Sequence, residues 1–145
     1  MGNQYTTGHK LKAAWHSISR MYTSYTAPVG VSVPMAYVLL LLSSKKGTLS
    51  TQIAPLLGME AGSLTRLLKS MEENKLIERK SDQEDKRQVS VYLTEKGKTK
   101  RRQSRKVVKV FNDLVQNDID PKQMKTFFTV LDQIVELAEK NNFKE

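Results

Sequence analysis

Cysteine is absent from this 145-residue chain, and histidine occurs only twice, at His9 and His16. The absence of cysteine excludes disulfide bonds, thiolate metal sites, a cysteine nucleophile and a thiol redox switch. Neither histidine has a partner at the spacing of a metal site. The longest apolar run, residues 35–42, is too short to span a bilayer, and the first ten residues lack an apolar signal-peptide core. We therefore expect no metal, no cofactor and no membrane partner.

Acidic residues are missing from residues 96–109, which hold eight of the 24 Lys and Arg residues of the chain. The formal net charge of the whole chain is +9. This concentration of positive charge favours a polyanionic partner, of which nucleic acid is the commonest. The alternative is a solvated helix face, because residues 96–106 contain no apolar side chain. A helix that is polar on all sides usually bridges parts of a structure through solvent.

Two amphipathic stripes flank the middle of the chain. The first predicts a long helix that ends before Pro28, and the second predicts a last helix that begins at Asp120. Between them, Ser32 is the expected N-cap of an apolar, central helix that runs to about Ser44 and is stopped by Gly47. The first stripe consists of Leu11, Trp15, Ile18, Tyr22 and Tyr25, and the second of Met124, Phe127, Phe128, Leu131, Ile134, Val135 and Ala138.

The segment from residue 49 to residue 97 has the layout of a winged helix-turn-helix. Ser50 is the expected N-cap of a short helix that Gly58 stops, and a second helix is expected from about residues 59–61. The apolar residues of this second helix recur at helical spacing and predict a buried face. Residues 77–81 and 88–93 follow as two strands, and Thr94 is the expected N-cap of a long polar helix.

In this layout the second helix enters the major groove of DNA, and its outward face makes the contacts. Arg66 is the strongest candidate, because a guanidinium can bind guanine through two hydrogen bonds. At the wing tip, Arg87 is expected to enter the minor groove and Asp85 to orient it. The predicted DNA-binding residues are Ser50, Thr51, Gln52, Gly62, Ser63, Thr65, Arg66, Lys69, Lys80, Asp85, Lys86 and Arg87. The alternative is an ordinary polar helix face and an exposed Asp–Arg pair that contributes little to stability.

Several short motifs occur in this segment at their expected spacing. They are Ile53-Ala54…Leu57-Gly58, Leu64-Thr65-Arg66-Leu67-Leu68…Met71-Glu72, Leu76-Ile77-Glu78-Arg79, Asp85-x-Arg87 and Leu93-Thr94-x-x-Gly97. Together they resemble the MarR family of bacterial transcriptional regulators. The chain departs from the family pattern at Lys75, where glycine is usual, at Gln83-Glu84, where proline is usual, and at Pro55.

The resemblance implies a mainly α fold with a small β-wing, in which N- and C-terminal dimerisation helices flank a winged helix-turn-helix. The implied boundaries are residues 1–31 for the first dimerisation helix, 32–97 for the DNA-binding domain and 98–145 for the linker and remaining dimerisation helices. It also implies a homodimeric repressor in the bacterial cytoplasm that binds a pseudo-palindromic site on double-stranded DNA. A small phenolic or lipophilic effector is implied to relieve repression.

Two further residue sets follow from this implied architecture. The predicted dimer interface contains Leu11, Trp15, Ile18, Phe111, Leu114, Phe127, Phe128, Leu131, Ile134 and Val135. The predicted effector cleft contains Trp15, His16, Arg20, Tyr22, Met35 and Tyr37. The cleft residues serve equally well as dimer core, so both interpretations are open.

Two other function classes compete with the DNA-binding regulator. A winged helix can act as a protein–protein contact module, and such a module would tolerate neutralisation of Arg66, Lys69 and Arg87. An enzyme is the least favoured class, because the sequence contains no Ser/His/Asp set, no phosphate loop and no plausible pair of catalytic acids.

Overall fold

Six α-helices and three short strands follow one another in the computed structural model, which describes residues 6–81 and 88–141. The elements are α1 (Thr7–Thr26), a 3₁₀ turn (Ala27–Val29), α2 (Val33–Leu41), β1 (Thr48–Leu49), α3 (Ser50–Leu57), α4 (Ala61–Glu73), β2 (Ile77–Ser81), β3 (Val89–Leu93), α5 (Glu95–Asp118) and α6 (Pro121–Lys140). The chain divides into two compact units, residues 1–108 and 109–145. The predicted fold class, mainly helical with a small β-wing, is confirmed.

The core of the first unit forms around α2, as its nearly continuous apolar sequence predicts. Val38 and Leu39 of this helix are completely buried. They belong to one cluster with apolar side chains of α3, α4, β2 and β3. Burial of each large aliphatic side chain contributes roughly 1.5–3 kcal/mol, before the entropy cost of folding. The fully buried side chains are Val38, Leu39, Leu42, Ile53, Met71, Leu76, Ile77 and Val91.

The three strands form one antiparallel sheet in the order β1-β3-β2. Ile77 pairs with Leu93 and Ser81 pairs with Val89, so the two strands expected from the sequence are confirmed. The third strand, β1, was not predicted, because two residues are too few to show an alternating pattern. Its Thr48 pairs with Val91 in the central strand.

Two predicted helix caps, Ser32 and Thr94, are confirmed, and Asp120 caps the last helix where that helix was expected to begin. Ser32, Thr94 and Asp120 each accept a hydrogen bond from a backbone N–H two or three residues later. Ser50, however, does not cap α3 as expected. It is already helical, and the N-cap position belongs to Leu49, which makes no side-chain cap bond. The helix begins directly after β1, so the capping position is occupied by the last residue of the strand.

Helix α2 ends at Leu41 rather than near Ser44. The chain becomes extended at Leu42 while that side chain stays completely buried. The next amide, of Ser43, donates to Thr48 Oγ1 at 3.2 Å. Tertiary burial and this side-chain bond therefore end the helix, and the expectation that Gly47 ends it is wrong.

The polar first half of α5 is not a solvent bridge, contrary to expectation. Gly97 and Ser104 of this helix are buried. Arg101 Nε donates to the Leu39 carbonyl oxygen at 3.1 Å, and Lys100 Nζ donates to the Val29 carbonyl oxygen. Cationic side chains thus reach back to the main chain around α2, where helix ends leave carbonyl groups without helical partners.

The second unit consists of the end of α5 and all of α6. None of the α6 residues from 121 to 140 is buried. Its exposed large apolar side chains include Phe127, Phe128, Val135 and Leu137.

Within residues 6–81 and 88–141, no single helix has the length and hydropathy needed to cross a membrane. Residues 7–29 and 33–41 have sufficient length and hydropathy only when taken together, as a pair bent by 82°. Within the same residues, no three His, Asp or Glu side chains come together as metal ligands.

Candidate nucleic-acid interface

Helix α4 separates its apolar and polar residues onto opposite faces. Leu64, Leu68 and Met71 are buried against the core. Its last carbonyls are bonded by the Lys75 amide at 2.8 Å and the Leu76 amide at 2.9 Å. This pattern is a Schellman motif, which supplies hydrogen-bond donors to carbonyl groups of the last turn that have no partner within the helix. The helix is therefore fixed both along its length and at its end.

The outward face of α4 carries the side chains predicted to contact DNA. Arg66 and Lys69 are exposed. Arg66 Nη2 donates to Ser63 Oγ at 3.2 Å, and Thr65 Oγ1 donates to the Ala61 carbonyl oxygen at 3.0 Å. One bond to Ser63 leaves most of the five guanidinium N–H donors available. Gly62 is exposed as well, and a Cβ at that position would meet nothing within 4 Å.

A groove of about 530 Å³ opens between α3, α4 and the sheet. Three predicted residues line it, namely Ser50 and Thr51 from α3 and Thr65 from α4. Gln52 is exposed on α3 and does not line the groove. Arg79 of β2 also lines it, so the groove combines hydroxyl groups with a cation.

Arg79 lines this groove but was not among the predicted DNA-binding residues. Its Nη2 lies 2.6 Å from Glu72 Oε2 on α4. Hydrogen bonding by the Arg79 side chain lowers the pKa of the Glu72 carboxyl below its usual value of 4.5, and burial only partly opposes this. The seven-residue spacing crosses a helix end and a turn, so no local periodicity could have indicated the pair.

The wing supplies one further described candidate, Lys80. Its Nζ lies 5.2 Å from the centre of the Tyr92 ring and 3.5 Å from a Glu78 carboxylate oxygen. These contacts hold the ammonium over the sheet. The other predicted wing residues, Asp85, Lys86 and Arg87, lie outside the described residues.

Two of the six predicted effector residues line one groove of about 470 Å³. Trp15 and Tyr37 lie there with ring centroids 5.9 Å apart, beside Leu56 and Met59. Trp15 is 51% exposed and Leu56 is 66% exposed. The groove is thus an open apolar surface with aromatic walls.

The other four predicted effector residues lie elsewhere. Tyr22 is buried, with its ring 6.3 Å from that of Tyr37, and burial raises the pKa of its hydroxyl. Met35 is half-buried on α2 and lines a different groove. His16 and Arg20 are exposed and do not line the Trp15–Tyr37 groove.

A small cavity lies next to Tyr22. The hydroxyl groups of Thr26 and Ser104 line it, and neither has a hydrogen-bond partner among the described residues. The cavity measures only about 10 Å³, about the volume of one water molecule. It is too small for an aromatic effector.

The predicted dimer residues fall in both units. In the first unit Leu11 and Ile18 are half-buried on α1, where Trp15 is exposed. In the second unit Phe127 and Phe128 have ring centroids 5.7 Å apart and are 49% and 56% exposed. The remaining residues of the set are Leu114 and Val135, which are exposed, and Phe111, Leu131 and Ile134, which are half-buried.

Comparison with known proteins points to the family that the sequence motifs resemble. The sequence model of the MarR family matches residues 29–88, which contain α2, α3, α4 and β2. The HTH-type transcriptional regulator TtmR of Methylorubrum extorquens is 38% identical over 86 residues, 59% of this chain and 44% of the relative. Over residues 29–88 the chain is similar to the MarR family of transcriptional regulators. The matched residues include every described residue of the predicted DNA-binding set.

Two other proteins extend the comparison. The organic hydroperoxide resistance transcriptional regulator of Bacillus subtilis is 32% identical over 87 residues, 60% of this chain and 59% of the relative. The chain therefore spans about half the length of these two curated relatives. The solved structure of the transcriptional repressor CouR, bound to a 23-mer DNA duplex, has a TM-score of 0.76 and 25% identity, and the match covers 90% of this chain and 92% of that one.

Proposed function

We propose that the protein is a homodimeric repressor that binds a pseudo-palindromic site on double-stranded DNA and is released by a small phenolic or lipophilic molecule. The predicted boundaries, residues 1–31, 32–97 and 98–145, are part of this proposal. A repressor of this kind works where the bacterial chromosome is, so we place it in the cytoplasm.

The outward face of α4 carries the proposal. Arg66 and Lys69 are exposed on a helix whose opposite face is buried, and the groove beside them adds the hydroxyl groups of Ser50 and Thr51. Hydroxyl groups and cations bind phosphate, and a guanidinium reads guanine. CouR, a repressor solved on a DNA duplex, shares this architecture. The net charge of +9 agrees with a polyanionic partner.

DNA selection followed by fluorescence anisotropy tests the DNA-binding part. The full chain would select duplexes of about 30 base pairs from a randomised library, and the best duplex would be compared with its scrambled sequence across a salt series. We expect tight, selective binding that weakens steeply with salt, because phosphate contacts release counterions. Equal, weak binding to both duplexes would contradict the proposal and favour the protein-contact alternative.

The homodimer rests on apolar surface that one chain leaves open. Phe127, Phe128 and Val135 of α6 are each about half exposed. Contiguous apolar surface of this kind usually marks an interface. A symmetric dimer would place two α4 helices about one DNA turn apart, roughly 34–36 Å, which is why we propose a pseudo-palindromic site.

Light scattering on paired variants tests the dimer. Leu131→Asp puts a charge on the apolar face of α6, and we expect the mass to fall to that of a monomer. Gln133→Asp adds the same charge on the opposite face, where we expect the dimer to persist. If both variants kept the mass of the wild type, α6 would be removed from the interface.

The Trp15–Tyr37 groove is the place we propose for the effector. Trp15 is the single tryptophan of the chain, so its fluorescence reports on this groove. We expect a phenolic acid such as 4-hydroxybenzoate to change that fluorescence in a saturable way and to release the selected duplex. Tyr37→Ala should abolish both effects, and His16→Ala should leave both intact. Release of DNA without any change at Trp15 would move the effector site elsewhere.

A further inference from the structure

One carboxylate joins the recognition helix to the wing. Glu72 near the end of α4 accepts hydrogen bonds from three donors of Arg79 on β2. Arg79 Nη2 and Nε lie 2.6 Å and 3.0 Å from Oε2, and the Arg79 backbone N–H donates to Oε1 at 3.2 Å. Glu72 thus binds both the side chain and the main chain of Arg79.

Strand β2 also reaches the core that α4 packs against, through its first residue. Ile77 is the one buried residue of β2, and the four residues that follow it are exposed. The strand is otherwise held through its ladder with β3. The Glu72–Arg79 pair therefore adds a charged contact between α4 and the exposed part of β2.

The same pair also places a cation in the groove between the DNA-binding elements. Arg79 lines this groove together with Ser50, Thr51 and Thr65. A guanidinium has five N–H donors, and Glu72 takes two of them. The remaining side-chain donors have no partner among residues 6–81 and 88–141, so they are available to a phosphate oxygen. A guanidinium that is held in one orientation loses less rotamer entropy when it binds DNA.

We propose that Glu72 is a positioning residue for DNA binding, which orients Arg79 toward the phosphate backbone and holds the wing at a fixed angle to α4. The inference rests on the proposed DNA-binding function. It assigns to an acidic residue a favourable role in binding a polyanion. That role is opposite in sign to the one its charge alone would have.

The sign gives a sharp test, because the neighbouring Glu73 is a matched control. Glu73 is exposed and makes no ion pair among the described residues. Glu73→Gln and Glu72→Gln remove the same charge one residue apart. If charge alone mattered, both variants would bind DNA somewhat more tightly than the wild type, because a repulsion is removed.

The experiment measures anisotropy of the selected duplex with the full-length wild type and the two glutamine variants, and thermal unfolding by circular dichroism at the same protein concentration. We expect Glu73→Gln to bind as tightly as the wild type or slightly tighter. We expect Glu72→Gln to bind about five- to tenfold more weakly, as for loss of one charge-assisted contact, with a salt slope smaller by about 1.

Repeating the Glu72→Gln substitution in a chain that lacks Arg79 tests whether Glu72 acts through Arg79. In an Arg79→Met chain, Glu72→Gln should no longer weaken binding, because the residue it acts through is gone. Arg79→Lys keeps the charge without the two parallel bonds and should fall between the wild type and Arg79→Met.

Two results would overturn the inference. If the wild type bound DNA and Glu72→Gln matched Glu73→Gln in affinity and salt slope, Glu72 would have no positioning role. If Glu72→Gln weakened binding equally with and without Arg79, the effect would not pass through Arg79. Failure of the wild type to select any duplex would instead overturn the proposed function, and this inference with it.

Discussion

Gly58 and Lys75 end the two helices of the candidate site with the same backbone φ, 59°. After α3, the Gly58 and Met59 amides bond back to carbonyls of the last turn, and after α4 the Lys75 amide and the one that follows it do the same. The motif requires a left-handed residue, which glycine adopts without cost. Lys75 adopts it with a side chain, so this departure from the family pattern is a point of backbone strain.

Lys75→Gly should therefore stabilise the protein. A left-handed conformation costs a non-glycine residue roughly 1–2 kcal/mol, which Lys75→Gly would remove. Glycine also gives the unfolded chain more conformational freedom, and this reduces the gain in stability by about 0.4–1 kcal/mol. We expect a net gain of about 0.5–1 kcal/mol, measured by urea unfolding at one protein concentration. Lys75→Ala, which removes the same charge and keeps the strain, should show no gain. A gain in both variants would assign the effect to charge.

Arg101 is expected to contribute to stability although it lies in a fully polar stretch. Its bond to the Leu39 carbonyl satisfies a group in the last turn of α2 and places a cation at the negative end of that helix. We expect Arg101→Met to cost about 1–3 kcal/mol. Arg105→Met on the exposed side of α5 should stay within about 0.5 kcal/mol of the wild type. Equal, small effects in a denaturation series would mean that the bond contributes nothing.

Gly97 is required where α5 crosses the end of α4. A Cβ at this position would overlap the Leu76 carbonyl oxygen, which is backbone and cannot move aside alone. We expect Gly97→Ala to destabilise the protein by about 1–3 kcal/mol, as overpacking does. Gly62→Ala, in open space on α4, should instead stabilise it by about 0.5–1 kcal/mol.

The Gly62 variant also separates stability from DNA binding. If the backbone at Gly62 lies close to DNA, Gly62→Ala should bind the selected duplex more weakly while it unfolds at a higher urea concentration. Unchanged affinity would remove Gly62 from the predicted contacts.

A Gly97→Ala chain as stable as the wild type would show that α5 can shift away from Leu76.

Periodic features of this chain were predictable, and long-range ones were not. The two faces of α4 follow from its apolar spacing, and the caps Ser32 and Thr94 follow from residue type, since both depend on neighbours within one turn. Arg79 was missed because its partner lies across a helix end. Helix α2 stopped early because burial of Leu42 in an extended conformation overrode a helical sequence.

The polar stretch of α5 shows the same limit in another form. The lack of apolar residues predicted that its side chains are solvated. In the structure, however, Ser104 is buried and Arg101 bonds to the main chain of α2. A cation that bonds a carbonyl oxygen leaves no mark on hydropathy. Long basic side chains can pack along a protein surface while their charged ends find partners.

The Glu72–Arg79 pair predicts a specific dependence on pH. Arg79 lowers the pKa of the Glu72 carboxyl in the folded protein, so the folded state favours the ionised form. The contribution of the pair to stability is then complete above the ordinary pKa of about 4.5 and disappears as the pH falls through the lowered folded value. The stability difference between the wild type and Glu72→Gln should therefore shrink on acidification. A carbon-detected NMR titration of Glu72 should give a midpoint below 4.5, and in Arg79→Met the midpoint should move back toward it. An identical midpoint in both proteins would show that the pair does not persist in solution, and would also remove the basis for a positioning role of Glu72.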